Sequence, residues 1–412
     1  MSLFHRPHVT SNLSPWMVFR LLAVSAFLVS LDATIVVAAF PSLRQEFSGN
    51  LATDLSWIMN AYTITTAALL VPAGRLSDLM GRKRLFLRGL LLFTLGSLLC
   101  SLAPSVWTLV AARFVQALGA VLLTPASLAL LLEAFPKEKR AIAVSLWTVV
   151  GALAAAVGPA IGSWVIEASS WRWAFLINLP IGLVAWWLSR RLLVESSNVP
   201  LGASLDLMGV ALLTMGGALL TLGIVNSEVW GWRSWATTAS LVTGIMAILS
   251  YIAWARDKKD AAVDLELFED RTYRFVTLAT LVFGIAFSMM FLSSFLFLMG
   301  IWKYSQSLTG LAVAMGPFVV MPVAIASGRW AARHGHRPVL VIGGVLYGVA
   351  QLWLWWRVDA TSAYWLVWFP SQVVGGAAIG LLLPGLSAAA VGFVTALLSL
   401  PIDTRPAPSL AQ

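Results

Sequence analysis

The sequence predicts an all-α polytopic membrane protein, a two-half bundle with about twelve transmembrane helices. Three observations predict it. Of 412 residues, 59% are hydrophobic and only 11% are charged, against roughly a quarter charged in a soluble domain. Apolar runs of about 20 residues, the length that crosses a bilayer, recur from one end to the other. Lys and Arg gather in every second loop, the pattern of loops retained on the cytoplasmic side.

Residues 1–15 are polar and read as a cytoplasmic tail. The apolar segment that follows has no small-residue cleavage site behind it, so it is expected to stay as helix 1 and not to leave as a signal peptide. Runs bounded by charge, Pro or Gly place helices at 16–38, 54–74, 85–103, 106–132, 140–165 and 171–190, an N-terminal six-helix half over 16–192. A polar linker and two extra helices, 207–226 and 234–255, make up 193–255, and a charged cytoplasmic loop covers 256–274. Spans at 275–301, 308–328, 338–356 and 362–384 form a C-terminal half, 275–385, that is two helices short of its partner. The remainder, 386–412, reads as an apolar remnant and a disordered Pro-rich tail. Asp206, at the start of the seventh helix, is expected to be an N-cap.

The loops after helices 2, 4, 6, 8 and 10 hold eighteen Lys and Arg, and the alternate loops five. That asymmetry places the N-terminus in the cytoplasm. The net charge of +9 therefore belongs to short cytoplasmic loops and does not call for a nucleic-acid partner. A single cysteine, Cys100, excludes an internal disulfide and a cysteine-cluster metal site. There is no GxxxxGK[ST] phosphate loop, and the four His have neither metal spacing nor a nucleophile beside them, so no cofactor, no metal and no enzymatic chemistry are expected.

An internal repeat supports two related halves. GRLSDLMGRKR at 74–84 aligns with GRWAARHGHRP at 328–338, both glycines and both leading arginines falling 254 residues apart, with Ala332 where Asp78 stands. Parallel repeats of this kind place a substrate site between the halves. In the first copy Gly74 and Gly81 permit a tight turn. Asp78 can accept hydrogen bonds from Arg75, Arg82 or a helix N-terminus. With Lys83 these residues form a candidate cytoplasmic gating loop.

A charge at mid-membrane costs at least ~2.5 kcal/mol, so intramembrane ions are functional candidates. Two stand out. Asp32 lies about 24 Å along helix 1, and Arg113 about 10 Å into helix 4 from the opposite side, at nearly the same depth. An Asp against an Arg keeps both charges tolerable, and protonating the Asp would free the Arg for a second partner. The competing structural reading makes Asp32 a helix-end residue and Arg113 a snorkelling one. In helix 5, Gly151, Gly158, Pro159 and Gly162 permit a close crossing or a kink.

These stretches resemble the major facilitator superfamily. GRLSDLMGRKR is similar to its loop 2-3 signature. LDATIVVAAFP at 31–41 resembles the helix 1 signature of the 14-spanner drug:proton antiporters of the EmrB/QacA type. ARFVQALGA at 112–120 resembles the helix 4 motif through Arg113, Gln116 and Gly119. AAAVGPAIGSW at 154–164 resembles the helix 5 antiporter motif, and WRWAFLINLPIG at 171–182 the opening of helix 6. Departures are Val37, where the family usually has Asn, and Ser163, where it has Gly. The resemblance implies a 14-helix plan lacking its last two helices here, in a plasma (inner) membrane. It also implies proton-coupled efflux of amphipathic or cationic drugs and metabolites, with Asp32 and Arg113 coupling the proton. The expected partners are substrate, protons and lipid; a membrane-fusion partner is not identified. The alternatives are a facilitator-type carrier of another small solute, or a truncated non-transporting membrane protein.

Overall fold

The computed structural model describes residues 14–196, 206–256, 258, 261, 263 and 265–397. Among them there is no strand, and eleven helices are long and apolar enough to cross a membrane. The N-terminal group comprises α1 (Pro15–Glu46), α2 (Ala52–Met80), α3 (Arg82–Ser101), α4 (Val106–Ala134), α5 (Lys137–Ala168) and α6 (Asn178–Leu192). Helix α6 is preceded by a single turn, Trp173–Leu176, so the sixth span is broken at Ile177. Then come α7 (Leu207–Val225), α8 (Trp235–Ala255), α9 (Arg271–Gly300), α10 (Gln306–His334), α11 (His336–Arg357) and α12 (Phe369–Leu397), the last entered through a wide π-helical turn at Tyr364–Trp368.

Local chemistry sets where these helices begin. Ser14, Ser105, Asp206, Ser234, Asp270 and Ser305 each accept a backbone N–H of their own first turn, which satisfies one of the donors that a helix start leaves without an intrahelical partner. Asp206 is thus an N-cap, accepting from Gly209 at 3.0 Å.

Packing in a bilayer gains little from hydrophobicity, since lipid is as apolar as the side chains, and depends on close backbone approach. A Cβ on Gly119 of α4 would lie 2.3 Å from the Phe93 backbone nitrogen of α3. Helices α3 and α4 therefore touch backbone to backbone. A Cβ on Gly158 of α5 would lie 2.2 Å from Thr34 Oγ1 of α1, and one on Gly162 2.6 Å from Ile35 Cγ1. Gly151 faces Ser30 and Ala26 of the same helix, so the glycine row of α5 seats α1 along its length. Two buried clusters fill the N-terminal group, one around Leu22, Phe86, Phe93 and Leu131, the other around Ile35, Leu55, Leu109 and Phe175.

Helices α10, α11 and α12 pack together, with α9 more loosely against them. The bridge between the groups is α5, which packs on both α10 and α12; Val149 of α5 joins the cluster of Tyr347, Ala378 and Leu382. The α7–α8 hairpin leans on α2 from outside.

The observed elements depart from the sequence expectation at two places. GRLSDLMGRKR is not a loop: Gly74, Arg75 and Asp78 lie in the last turns of α2, Arg82 and Lys83 open α3, and the turn is Gly81 alone, at φ 96°. Its repeat partner Gly335 turns the chain in the same way at φ 81°, so the two copies share a backbone device that only glycine adopts cheaply. Gly74, by contrast, is not needed for close approach, since a Cβ there would meet only ordinary contact with Pro125 at 3.8 Å. The separation of a remnant after residue 385 also does not hold: α12 runs through Pro384 without interruption to Leu397. The N-terminal tail before Ser14 and the chain after Leu397 lie outside the described residues. Of the tryptophans near helix ends, Trp173, Trp230, Trp232 and Trp235 are exposed, whereas Trp171 is buried and donates to Glu46 Oε2 at 2.6 Å.

Candidate functional site

On α1, Asp32 falls between the two N-terminal clusters, where it is fully buried. Three helices converge on it. From α4, Arg113 Nη1 donates to Asp32 Oδ2 at 2.6 Å and Gln116 Nε2 donates to Oδ1 at 2.7 Å. From α6, Asn178 Nδ2 donates to Oδ1 at 3.0 Å. From α3, Ser97 Oγ accepts from Gln116 at 2.7 Å and from Asn178 at 3.3 Å, tying the two amides together.

Arg113 is equally enclosed. It donates to Gln116 Oε1 at 2.6 Å and to the Ile58 carbonyl of α2 at 3.2 Å, and its guanidinium lies over the Tyr62 ring at 4.3 Å. Cys100 Sγ lies 3.6 Å from Gln116 Oε1. The helix-end and snorkelling reading of these charges does not describe this geometry, because neither side chain reaches water or an interface. A buried ion pair is tolerated when its remaining donors and acceptors are satisfied. Here the carboxylate has three donors and the guanidinium two further acceptors and a π face.

Two buried groups are left over. Asn178 Oδ1 and Tyr62 Oη have no hydrogen-bond partner among the described residues. An Asn amide beside a carboxylate donates through nitrogen; beside a protonated carboxyl it can rotate and accept through oxygen. The site thus already holds an acceptor for a proton placed on Asp32.

Sequence reasoning brought Asp32, Arg113 and Gln116 forward but missed Asn178, Ser97 and Tyr62. Asn178 had a signal, being the one amide in the apolar stretch FLINLPIG at 175–182. Ser97 and Tyr62 had none, since an isolated hydroxyl in a membrane helix usually bonds its own backbone.

The α2–α3 turn forms a second polar cluster at the Arg-rich end of the bundle. Arg82 donates to Asp78 Oδ1 at 2.9 Å and to Glu133 Oε2 of α4 at 3.1 Å. Glu195, just past α6, accepts the backbone N–H groups of Lys83 at 2.9 Å and Arg84 at 3.1 Å, and Lys83 Nζ donates to the Leu193 carbonyl. A side chain at Gly81 would strike that carboxylate at 2.8 Å. This latch joins α2, α3, α4 and the end of α6. Glu133 and Glu195, which complete it, were not foreseen because only tertiary structure brings them to the turn.

Between the two groups of helices lies a cavity of about 100 Å³. Thr34 of α1 and Ala152 and Ala155 of α5 form one wall. Phe287 and Phe291 of α9, Pro317 of α10, Gln351 of α11 and Gln372 of α12 form the other. A neighbouring chamber of about 290 Å³ shares Ala152, Ala155 and Phe287 with it and reaches Thr124 and Trp147. Pro159 interrupts the backbone ladder of α5 in the row of glycines that seats α1, and Ser163 Oγ donates back to the Pro159 carbonyl at 2.8 Å.

Comparison with known proteins agrees with this architecture. The family described as Major Facilitator Superfamily matches residues 22–203, and the one described as MFS_1 like family matches residues 197–404. The chain is 31% identical over 344 residues to multidrug resistance protein Stp of Mycobacterium tuberculosis, covering 83% of this chain and 63% of that one. It is 33% identical over 361 residues to the cephamycin export protein CmcT of Amycolatopsis lactamdurans, covering 86% of this chain and 74% of that one. The solved proton:xylose symporter XylE has the same fold at a TM-score of 0.64 and 14% identity, covering 92% of this chain and 82% of that one. The chain spans 62% and 63% of the length of two of the curated relatives it matches. The chain belongs to the major facilitator superfamily.

Proposed function

We propose that this chain is a proton-coupled exporter of amphipathic drugs and metabolites, of the 14-spanner drug:proton antiporter type, in the plasma (inner) membrane. The observation that carries the reading is the sealed Asp32–Arg113 pair, roofed by amides from α4 and α6. A charge pair with no exposure has no use as a surface anchor, and the Asn178 amide beside its carboxylate carries an unpartnered oxygen that rotation would turn toward a proton on Asp32. The relatives named for multidrug resistance and cephamycin export support the outward direction.

In this reading, protonation of Asp32 loosens its hold on Arg113 and lets α1 move relative to α4. Because α1 lies along the glycine row of α5, and α5 bridges to α10 and α12, that movement reaches the cavity between the groups. Gly151, Gly158, Pro159 and Gly162 are the sliding face, Gly119 holds α4 against α3, and the latch of Arg82, Asp78 and Glu133 is the cytoplasmic gate. Inverted membrane vesicles are expected to accumulate substrate when acidified inside, and to lose it when a protonophore is added. Equilibration without accumulation, unchanged by the protonophore, would leave only a facilitator.

The orientation is part of the proposal: the N-terminus and the 256–274 segment face the cytoplasm, as the loop charges require. In a Cys100→Ala background, Lys258→Cys is expected to resist a membrane-impermeant thiol reagent in intact cells and to react once the cells are opened. Labelling from outside would reverse the topology.

A further inference from the structure

Among the described residues the cavity wall contains no Asp, Glu, Lys, Arg or His, and neither does that of the adjoining chamber. The surrounding helices do not supply a charge from farther off. Helices α9, α10 and α11 carry their arginines only within two turns of an end, and α12 carries no charged residue. The remaining mid-membrane charges, Asp32 and Arg113, are committed to each other at 2.6 Å. They also face elsewhere. Thr34, which lines the cavity, is two residues beyond Asp32, about 200° around the helix. Proton site and cavity therefore occupy nearly opposite faces of α1.

What the wall does offer is flat and uncharged. Along α9, Phe283, Phe287, Phe291 and Phe295 form a ladder at four-residue spacing, with Phe287 and Phe291 stacked at 6.4 Å and 25°. In the same cavity lining the side chains of Gln351, Ser371 and Gln372 make no hydrogen bond among the described residues. Gly316 leaves room for the Gln372 carboxamide, whose Oε1 would sit 3.0 Å from a Cβ placed there. Unused amides in an apolar chamber favour a ligand with hydrogen-bonding groups of its own. A permanent cation would have to shed its water there with no counter-charge to replace it.

We propose that this cavity is the substrate site, and that it takes neutral, planar aromatic molecules bearing carbonyl, hydroxyl or amine groups while disfavouring permanent cations. The proposal rests on the transporter reading above, but not on proton coupling. It places the aromatic body of the ligand on Phe287 and Phe291 and its polar groups on Gln351, Ser371 and Gln372. Offset stacking of this kind adds to affinity beyond the buried area. A drug-sized molecule enters as α9 and α12 part from α1 and α5, the movement that alternating access involves.

The test is equilibrium binding to the purified full chain in lipid nanodiscs, which needs no gradient. The probes are 1-aminoanthraquinone, planar and neutral, and ethidium, planar and permanently cationic, each corrected for empty nanodiscs. The neutral probe is expected to bind saturably and at least ~10-fold more tightly than ethidium. Phe291→Leu is expected to weaken the neutral probe up to ~10-fold, the scale of a lost aromatic stack. Gln372→Glu, and separately Gln351→Glu, are expected to shift the preference toward ethidium by ~10-fold or more, a gain that a misfolded variant would not show. Ethidium binding as tight as the neutral probe, no saturable neutral binding, or a preference unmoved by both Glu variants would each overturn the proposal. Asp32→Asn serves as the separating control. Unaltered binding in that variant with no proton-driven efflux in the wild type would remove the coupling reading and leave the cavity assignment standing.

Discussion

Asp32→Asn is expected to abolish proton-driven efflux, to the level of empty vesicles, while substrate exchange without a gradient continues. The carboxylate accepts from Arg113, Gln116 and Asn178, so its charge sets the direction of three hydrogen bonds at once. An Asn of the same shape can still meet Asn178, whose Oδ1 has no other partner among the described residues, and Arg113 keeps Gln116, the Ile58 carbonyl and the Tyr62 ring. The helices therefore have reason to stay assembled, at a cost in stability. What the variant lacks is a group that can alternate between charged and neutral. Substrate counterflow should persist because the cavity lies on the other face of α1. Full proton-driven accumulation with an unchanged pH profile would take Asp32 out of the mechanism.

The pair was legible in the sequence because mid-membrane charge is rare and helical rise converts residue number into depth. Two helices entered from opposite sides gave matching depths for Asp32 and Arg113, and the structure brings the two side chains into contact. The surrounding amides were harder to see. Asn178 reaches Asp32 across 146 positions, and only the packing of α6 against α1 and α3 makes them neighbours. The same limit hid Glu133 and Glu195, which only tertiary packing brings to Arg82 and to the N-terminus of α3. Helix ends were misjudged where polarity was read as loop. The backbone at Gly74 to Met80 stays helical beyond the apolar run, since near the bilayer surface its polar side chains are solvated or paired. Conversely, the last span is expected to end at 384, yet α12 continues through Pro384 to Leu397. Membrane helices tolerate proline when neighbours satisfy the freed backbone groups.

Replacing both members of the pair is expected to separate its structural role from its coupling role. Arg113→Gln leaves a buried carboxylate held by two amides, and Asp32→Asn leaves a buried guanidinium held by neutral acceptors. Breaking a buried pair from one side typically costs about 3–5 kcal/mol, because the surviving charge is uncompensated. The double variant Asp32→Asn/Arg113→Gln carries no charge at the site, and its amides can hydrogen-bond with Gln116, Asn178 and Ser97. It should therefore melt in detergent at a higher temperature than either single variant, with a coupling on the order of 0.5–3 kcal/mol. Transport should not follow stability. All three variants are expected to lack proton-driven efflux, since none retains both the titrating group and the cation that responds to it. A double variant less stable than both single variants would mean that the pair is not held mainly by mutual charge. A double variant that regains proton-driven efflux would mean that the proton travels by another route.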